Sequence, residues 1–180
     1  NKHPKEIHLK VPDALGDTVI STAVMRALGK AYFPDTTLIV YAKNPSLLES
    51  CGDIDELHPI SELPRSGYIS LDGYLNQMPH TAQPHTHISH CMINEAESEL
   101  KKQGFDLRLD HSYKPGIILA DEELYKSTDE INELETRYGK RVVWISTKTS
   151  SPNKDWPQEY WKEVIAATSE DFTFLELLAP

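Results

Sequence analysis

The hydrophobic pattern along the chain changes repeatedly between the period of a strand and the period of a helix. Apolar residues alternate in "EIHLKV" (6–11), and β-branched and aromatic residues crowd "TTLIVYA" (36–42), so both segments are predicted to be strands. Between them, from Asp17 onward, apolar residues recur at helical spacing until Pro34 interrupts them. This part of the chain therefore predicts a strand, a helix and a second strand.

The same two patterns continue to the end of the sequence. Helices are predicted over 44–51, 87–103, 121–139 and 156–170, and further strands over 56–60, 67–73, 141–146 and 172–178. Residues 74–86 contain two prolines and no period, which is typical of a loop. Strands that alternate with helices predict an α/β fold, with a parallel sheet and helices on both faces.

A break in composition near residues 139–141 predicts two domains, at 1–138 and 139–180. The second segment holds one helix between two strands, which is too little to bury a core of its own. We therefore expect the 180 residues to be part of a longer two-domain protein. In this interpretation the first domain is Rossmann-like, and a second, similarly wound domain begins after it.

Composition and charge narrow the function classes. With 39% hydrophobic and 26% charged residues, the chain has the balance of a soluble globular protein, and no apolar run reaches the roughly 20 residues that span a bilayer. The net charge of −10 argues against nucleic acid as a partner, because binding phosphates along a duplex requires a basic surface. The sequence starts without a signal-peptide pattern, and Cys51 and Cys91 lie far apart, so reduced thiols in a cytoplasm are expected.

The stretch "VPDALGDTVISTAVMRAL" (11–28) places two aspartates where a strand turns into a helix. Asp17 is a candidate N-cap of that helix, and Asp13 is a candidate loop residue that hydrogen-bonds its own backbone. A carboxylate at the mouth of a strand, facing a cleft, can also serve as a general base, and Gly16 lets the backbone turn tightly before it. The stretch has no Gly-x-Gly-x-x-Gly pattern, which argues against a Rossmann dehydrogenase.

Histidines crowd "HTAQPHTHISHCM" (80–92). Helical spacing would put two ligands, His87 with His90 or with Cys91, on one helix face. No second cluster follows apart from the isolated His111, and a polar surface segment accounts for the composition, so no metal is predicted. A role for His87 or His90 facing a ligand cleft stays open.

Two anchors resemble glycosyltransferase family 9, the ADP-heptose heptosyltransferases and their relatives. The first is "LGDTVISTAVMRALGKAYFPDTTLIVYAKNPSLLESCGDIDEL", with its Gly-Asp after the first strand. The second is "KTSSPNKDWPQEYWKEVI" (148–165), which is similar to the family's phosphate loop. The resemblance implies the GT-B fold, in which 1–138 is the acceptor-side domain and 139–180 begins the domain that binds the nucleotide sugar.

The resemblance also implies site residues. In that family the aspartate of the Gly-Asp pair is the proposed base, and the matching residue here is Asp17, with Gly16 and Asp13 beside it on the substrate side. The matching residues of the phosphate loop are Thr149, Ser150 and Lys154, which would hold the pyrophosphate of the donor at a helix start. A metal ion or other cofactor is not implied.

The implied activity is inverting transfer of a heptose-like sugar from an ADP-heptose-like donor to a glycan or glycolipid acceptor, as in lipopolysaccharide biosynthesis. It implies a cytoplasmic enzyme and allows peripheral association with the inner membrane. Residues 53–100 contain only Arg65 as a strong cation, which argues against a heavily phosphorylated acceptor. The family's C-terminal nucleotide motif is absent from these residues, so the alternative is a non-catalytic α/β binding or scaffold protein.

Overall fold

The structure is a computed structural model that describes residues 3–29, 33–77, 87–148 and 152–177. The chain divides into two compact units, Asn1–Leu119 and Ala120–Pro180, and each has its own sheet. None of the helices in these described ranges is both long enough and apolar enough to cross a membrane.

The first unit is built on a four-stranded parallel sheet. Its strands are β1 (Glu6–Lys10), β2 (Thr37–Ala42), β3 (Glu56–Pro59) and β4 (Ile69–Ser70), in the spatial order β3-β2-β1-β4. Two α-helices, α1 (Leu15–Leu28) and α2 (Ile88–Lys102), come after β1 and β4 in the chain. The first strand lies inside the sheet, between β2 and β4. The turn after β1 therefore opens near the centre of the sheet's carboxyl edge.

One hydrophobic cluster holds this unit together. Ile7 and Leu9 of β1 are buried, as are Leu38 and Val40 of β2, and each pair is spaced by two as strand geometry requires. Both helices add residues to the same cluster: Val24, Met25, Leu28, Met92, Ile93 and Leu100. Helices α1 and α2 therefore pack on the same face of the sheet. Helices were expected on both faces, and in the described part of this unit both α-helices lie on this face.

The other face of the sheet carries a row of polar rings. The Tyr41 ring stacks between His8 and His58, with centroids 5.9 and 5.5 Å away. The two ring nitrogens of His58 lie 3.2 Å from a Glu56 oxygen and 2.9 Å from a Glu62 oxygen. These two hydrogen bonds raise the pKa of His58 above its ordinary value of 6.5.

We expect His58 to stabilise the fold in acid and to lose that effect on alkalinisation. Because the pKa is higher in the folded state, the contribution is complete below the unfolded-state pKa and disappears as pH rises through the folded one. The free energy of unfolding of the wild type should therefore exceed that of His58→Gln at pH 5.5, with the gap closing by pH 9. Urea titrations of both proteins at several pH values measure this, and a gap that widens with pH would contradict it.

Three connections in the first unit differ from the sequence prediction. The helix predicted at 44–51 is a 3-10 turn, Pro45–Leu48, and Asn44 makes no side-chain cap there. The strand predicted at 67–73 is only the two-residue β4. The start of the predicted loop 74–86 instead belongs to a 3-10 helix, Leu71–Gln77, because Leu71 and Tyr74 are buried against the core. The rest of that loop, 78–86, lies outside the described residues.

The second unit repeats the strand and helix alternation on a smaller scale. Its elements are α3 (Asp121–Tyr138), β5 (Arg141–Ile145), α4 (Gln158–Thr168) and β6 (Phe172–Glu176), and β5 pairs with β6 in parallel. Among the described residues of this unit only Thr147 is buried, and Trp144 is 49% exposed. The unit has no buried hydrophobic core within those residues, as expected from its few elements.

The division into units falls before α3. The sequence placed residues 121–138 in the first domain, whereas α3 packs on β5 and groups with the second unit. A carboxylate oxygen of Glu135 also accepts a hydrogen bond from the Val142 amide, 3.4 Å away. Gly139 ends α3 in the left-handed conformation that favours glycine, at φ 64°, so the helix turns directly into β5. The break in composition at 139–141 marks this helix end, and the compact units part at residues 119 and 120.

Candidate functional site

The turn after β1 is closed by local hydrogen bonds. The Thr18 amide donates to the Ala14 carbonyl at 2.9 Å, and the Thr18 hydroxyl lies within hydrogen-bond distance of the Pro12 and Ala14 carbonyls. Ala14 is the N-cap of α1 and makes no side-chain cap. The interpretation of Asp17 as the N-cap is therefore wrong, because Asp17 lies inside the first helical turn. The Asp17 carboxylate therefore does not cap the helix.

Asp17 is half-buried at the carboxyl edge of β1. Its Oδ2 accepts a hydrogen bond from the Tyr74 hydroxyl at 3.2 Å, and within the described ranges this is the only hydrogen bond of the Asp17 side chain. A negative charge in the first turn of a helix is also favoured by the helix dipole. Burial first, and then the Asp17 charge and hydrogen bond, raise the pKa of Tyr74, so its phenol keeps its proton at neutral pH.

Gly16 and Asp13 lie close to Asp17 in the chain, on its N-terminal side. Gly16 is the second residue of α1, its φ is not positive, and a Cβ built on it would meet nothing within 4 Å. The expectation that the glycine makes a tight backbone turn is therefore wrong, and what it provides is open space next to Asp17. Asp13 is exposed, and no described residue hydrogen-bonds its side chain. Binding of substrate by Gly16 and Asp13 stays a prediction.

The second predicted anchor lies in the second unit. Thr149 and Ser150 fall outside the described residues. Lys154 is exposed at the end of a 3-10 turn, Pro152–Lys154, and α4 begins shortly after it with Pro157 as N-cap. The positive end of a helix attracts anions, and binding of the donor pyrophosphate at the start of α4 stays a prediction. Lys154 and Asp17 belong to different units.

A cleft of about 490 Å³ lies beside this anchor, within the second unit. Thr147 and Lys148, at the end of β5, and Trp161 of α4 are among the residues that line it. The Trp161 indole nitrogen is buried and makes no hydrogen bond to any residue that the structure describes. The Trp161 ring packs edge-on against the Trp156 ring, with the ring centroids 5.0 Å apart.

The histidine-rich stretch is described only from His87 onward. His87 caps α2, because its Nδ1 accepts from the Ser89 amide at 3.2 Å. Cys91 is completely buried in the core, and burial raises the pKa of its thiol. His87, His90 and His111 instead line a cleft of about 550 Å³ within the first unit. The described residues contain no group of three side chains suited to a metal ion.

Tyr74 is the site residue that sequence reasoning missed. It belongs to a stretch read as a loop, and it lies 57 positions from Asp17 in the chain. Neither spacing nor hydrophobic period connects the two residues. Only the fold of the first unit, which places the 3-10 helix Leu71–Gln77 against β1 and α2, brings them together.

Three solved structures share the fold. A glycosyl transferase family 9 protein from Veillonella parvula has a TM-score of 0.64 and 16% identity over 98% of this chain and 63% of its own. The E. coli ADP-heptose LPS heptosyltransferase II has a TM-score of 0.59 and 16% identity over 95% of this chain and 63% of its own. The E. coli heptosyltransferase WaaC with ADP has a TM-score of 0.52 and 12% identity over 97% of this chain and 68% of its own. The chain thus spans 63% of the length of the first two, and the predicted GT-B type of α/β fold is confirmed.

The sequence itself gives the family. No curated protein matches it. Residues 80–174, more than half of the chain, match the family model described as glycosyltransferase family 9 (heptosyltransferase). The matched range contains α2, the whole described part of the predicted phosphate loop, and α4. The chain therefore belongs to glycosyltransferase family 9.

Proposed function

We propose that this chain is part of an inverting glycosyltransferase that moves a heptose-like sugar from an ADP-heptose-like donor to a glycan or glycolipid acceptor. Membership of family 9 carries the proposal, and two of the similar structures are named heptosyltransferases. The acceptor belongs to cell-envelope polysaccharide, in the manner of lipopolysaccharide. The enzyme works in the cytoplasm, at the inner face of the membrane. The first unit, Asn1–Leu119, serves the acceptor, and the second, Ala120–Pro180, serves the donor.

Asp17 is the general base of this reaction. A carboxylate oxygen takes the proton of the acceptor hydroxyl as that hydroxyl oxygen attacks the anomeric carbon. The bond from this carbon to the diphosphate oxygen breaks, and its electron pair leaves with the diphosphate. A single displacement of this kind inverts the anomeric centre. The open space at Gly16 supports this role, and so does the Asp17 oxygen to which no described residue hydrogen-bonds, since both leave room for an acceptor.

The leaving diphosphate is stabilised by groups of the second unit. Lys154, Thr149 and Ser150 hold its oxygens, and the positive end of α4 adds to the attraction. These groups take the place of a divalent ion, which is another way to neutralise a diphosphate leaving group. The exposed position of Lys154 near the start of α4 supports this assignment.

The activity is tested by sugar transfer from ADP-heptose to a dephosphorylated lipopolysaccharide inner-core acceptor, with the product's anomeric configuration read by NMR. The proposal expects an inverted product and full turnover in the presence of a metal chelator. A product with retained configuration would exclude the single displacement. Turnover abolished by the chelator would exclude the metal-free stabilisation of the diphosphate.

Lys154→Ala should weaken donor binding by roughly 10-fold and lower turnover as well, because a hydrogen bond to a charged group is lost. Lys126→Ala is the matched control, since Lys126 is an exposed lysine on α3 of the same unit. Calorimetric titration with ADP and initial rates with ADP-heptose measure both effects. Equal ADP affinity in the two variants would remove Lys154 from the donor site.

A further inference from the structure

The 3-10 helix Leu71–Gln77 is fastened at both ends. At its start, Asp72 forms an ion pair with Lys10 of β1 and accepts a hydrogen bond from the Ser70 hydroxyl at 3.0 Å. At its end, the Gln77 side-chain amide donates to Glu95 of α2 at 2.7 Å. The helix is therefore held against both the first strand and the second α-helix of the unit.

Glu95 is a buried carboxylate that the proposed reaction does not use. It is 7% exposed on the inner side of α2. A Cβ added to Gly73 would lie 2.2 Å from its Oε1, so the backbone of the 3-10 helix rests directly on the Glu95 side chain. Burial of a carboxylate is costly unless its oxygens are hydrogen-bonded, and the Gln77 amide meets that need. Glu95 thus limits how closely the 3-10 helix can approach α2.

Tyr74 lies between these two fastenings. Its ring belongs to the core cluster and is 9% exposed, so the ring has little freedom to rotate. Its hydroxyl reaches Asp17 Oδ2 at 3.2 Å. The contacts of Asp72 and Glu95 therefore fix the position of the Tyr74 hydroxyl, which donates the hydrogen bond to Asp17.

We propose that Tyr74 is a positioning residue for Asp17, and that Glu95 seats the segment that carries Tyr74. The proposal rests on the proposed role of Asp17 as the base. A hydrogen bond to Oδ2 fixes the rotation of the carboxylate and leaves Oδ1 to receive the acceptor proton. Tyr74 keeps its own proton throughout, so it orients the base and transfers nothing. Preorganised geometry of this kind acts on turnover rather than on binding.

A double-mutant cycle with Tyr74→Phe and Asp17→Asn tests this in the full-length protein, with ADP-heptose and a dephosphorylated inner-core acceptor. Tyr74→Phe alone should lower kcat by roughly 10-fold, the scale for a hydrogen bond to a charged group, with both KM values and the melting temperature nearly unchanged. In the Asp17→Asn background the same substitution should change nothing further, because no base is left to orient. If residual turnover in the Asp17→Asn background is too low to measure, the kinetic constants of Tyr74→Phe alone test the proposal: it expects a lowered kcat with unchanged KM values.

Tyr41→Phe is the matched control, because Tyr41 is equally buried and its hydroxyl lies 2.9 Å from His8 Nδ1 on the opposite face of the sheet. It should leave kcat unchanged. Glu95→Gln, which keeps an acceptor for Gln77, should behave as the wild type, and Glu95→Ala should reproduce the loss seen with Tyr74→Phe.

The possible failures are distinguishable. An equal loss from Tyr74→Phe with and without Asp17, or a raised KM in place of a lowered kcat, would show that the tyrosine only supports the fold. Normal kcat in Tyr74→Phe beside an inactive Asp17→Asn would overturn the positioning role alone. High activity in Asp17→Asn itself would overturn the proposed base, and the positioning proposal with it.

Discussion

Asp17→Asn is expected to lower the turnover of glycosyl transfer by roughly 10²-fold or more, the usual scale for the loss of a general base. The amide has nearly the shape of the carboxylate but cannot accept the acceptor proton. Donor binding should change little, because the diphosphate is assigned to groups of the second unit. Initial rates at saturating donor and acceptor, with ADP affinity measured by calorimetry, separate the two effects.

The fold should tolerate this substitution. Ala14 rather than Asp17 caps α1, and the asparagine oxygen can still accept the hydrogen bond from Tyr74. The main loss is the interaction of a negative charge with the helix dipole, about 0.5 kcal/mol. Asp35→Asn is the matched control, since Asp35 is an exposed aspartate of the same unit with no place in the site. Near-normal turnover in the Asp17 variant would show that another group removes the proton.

Gly73→Ala should destabilise the protein by about 1–3 kcal/mol, the range for overpacking a filled core. The backbone of Gly73 has no positive φ, so alanine is acceptable there in conformation alone. The cost arises because the new methyl group would lie 2.2 Å from the buried Glu95 Oε1. Either the carboxylate moves and loses the Gln77 amide, or the 3-10 helix shifts outward. Urea unfolding followed by circular dichroism measures the change.

Gly52→Ala is the matched control, because a Cβ at Gly52 meets nothing within 4 Å and its φ is also not positive. The combination of Gly73→Ala with Glu95→Ala should cost less than the sum of the two single changes, since the second removes the atom that the first strikes. If the losses in unfolding free energy were additive, or if Gly73→Ala were as stable as Gly52→Ala, then Gly73 and Glu95 would not be tightly packed against each other.

Much of the fold follows from local sequence signals. The strands β1 and β2 and the helix α1 were predicted because a period of two and a period of 3.6 are each sustained there over whole elements. Helix α3 ends before Gly139, as that glycine indicated. These signals depend on neighbours in the chain, so one sequence is enough to read them.

The connections could not be read in this way. The 3-10 helix Leu71–Gln77 has no period of its own and forms because Leu71 and Tyr74 fit the core beside α2. The N-cap of α1 was assigned to Asp17 because aspartate favours that position, whereas the Thr18 side chain closes the turn on Pro12 and Ala14 instead. The unit boundary was missed for a similar reason, since only tertiary packing shows that α3 belongs with β5.

The candidate site also contains residues that the sequence indicates and a contact that it does not. Asp17, with Gly16 and Asp13, was found because they stand together in one turn that resembles a family motif. The hydrogen bond from Tyr74 could not be found, because it joins positions 57 apart whose meeting depends on β4 pairing with β1. Local chemistry can be read from sequence more readily than the contacts that orient it.

The turn that carries Asp17 and the tyrosine that contacts it belong to different stages of folding. The turn closes through hydrogen bonds among residues 12–18, and contacts of such short range form fastest. The contact between Tyr74 and Asp17 closes a loop of 57 residues and needs the sheet to be assembled first. During synthesis the residues of this turn leave the ribosome well before Tyr74, the hydrogen-bond donor to Asp17, has been made. Full activity in a refolding protein then reports the completion of long-range structure, which the recovery of helix content cannot do.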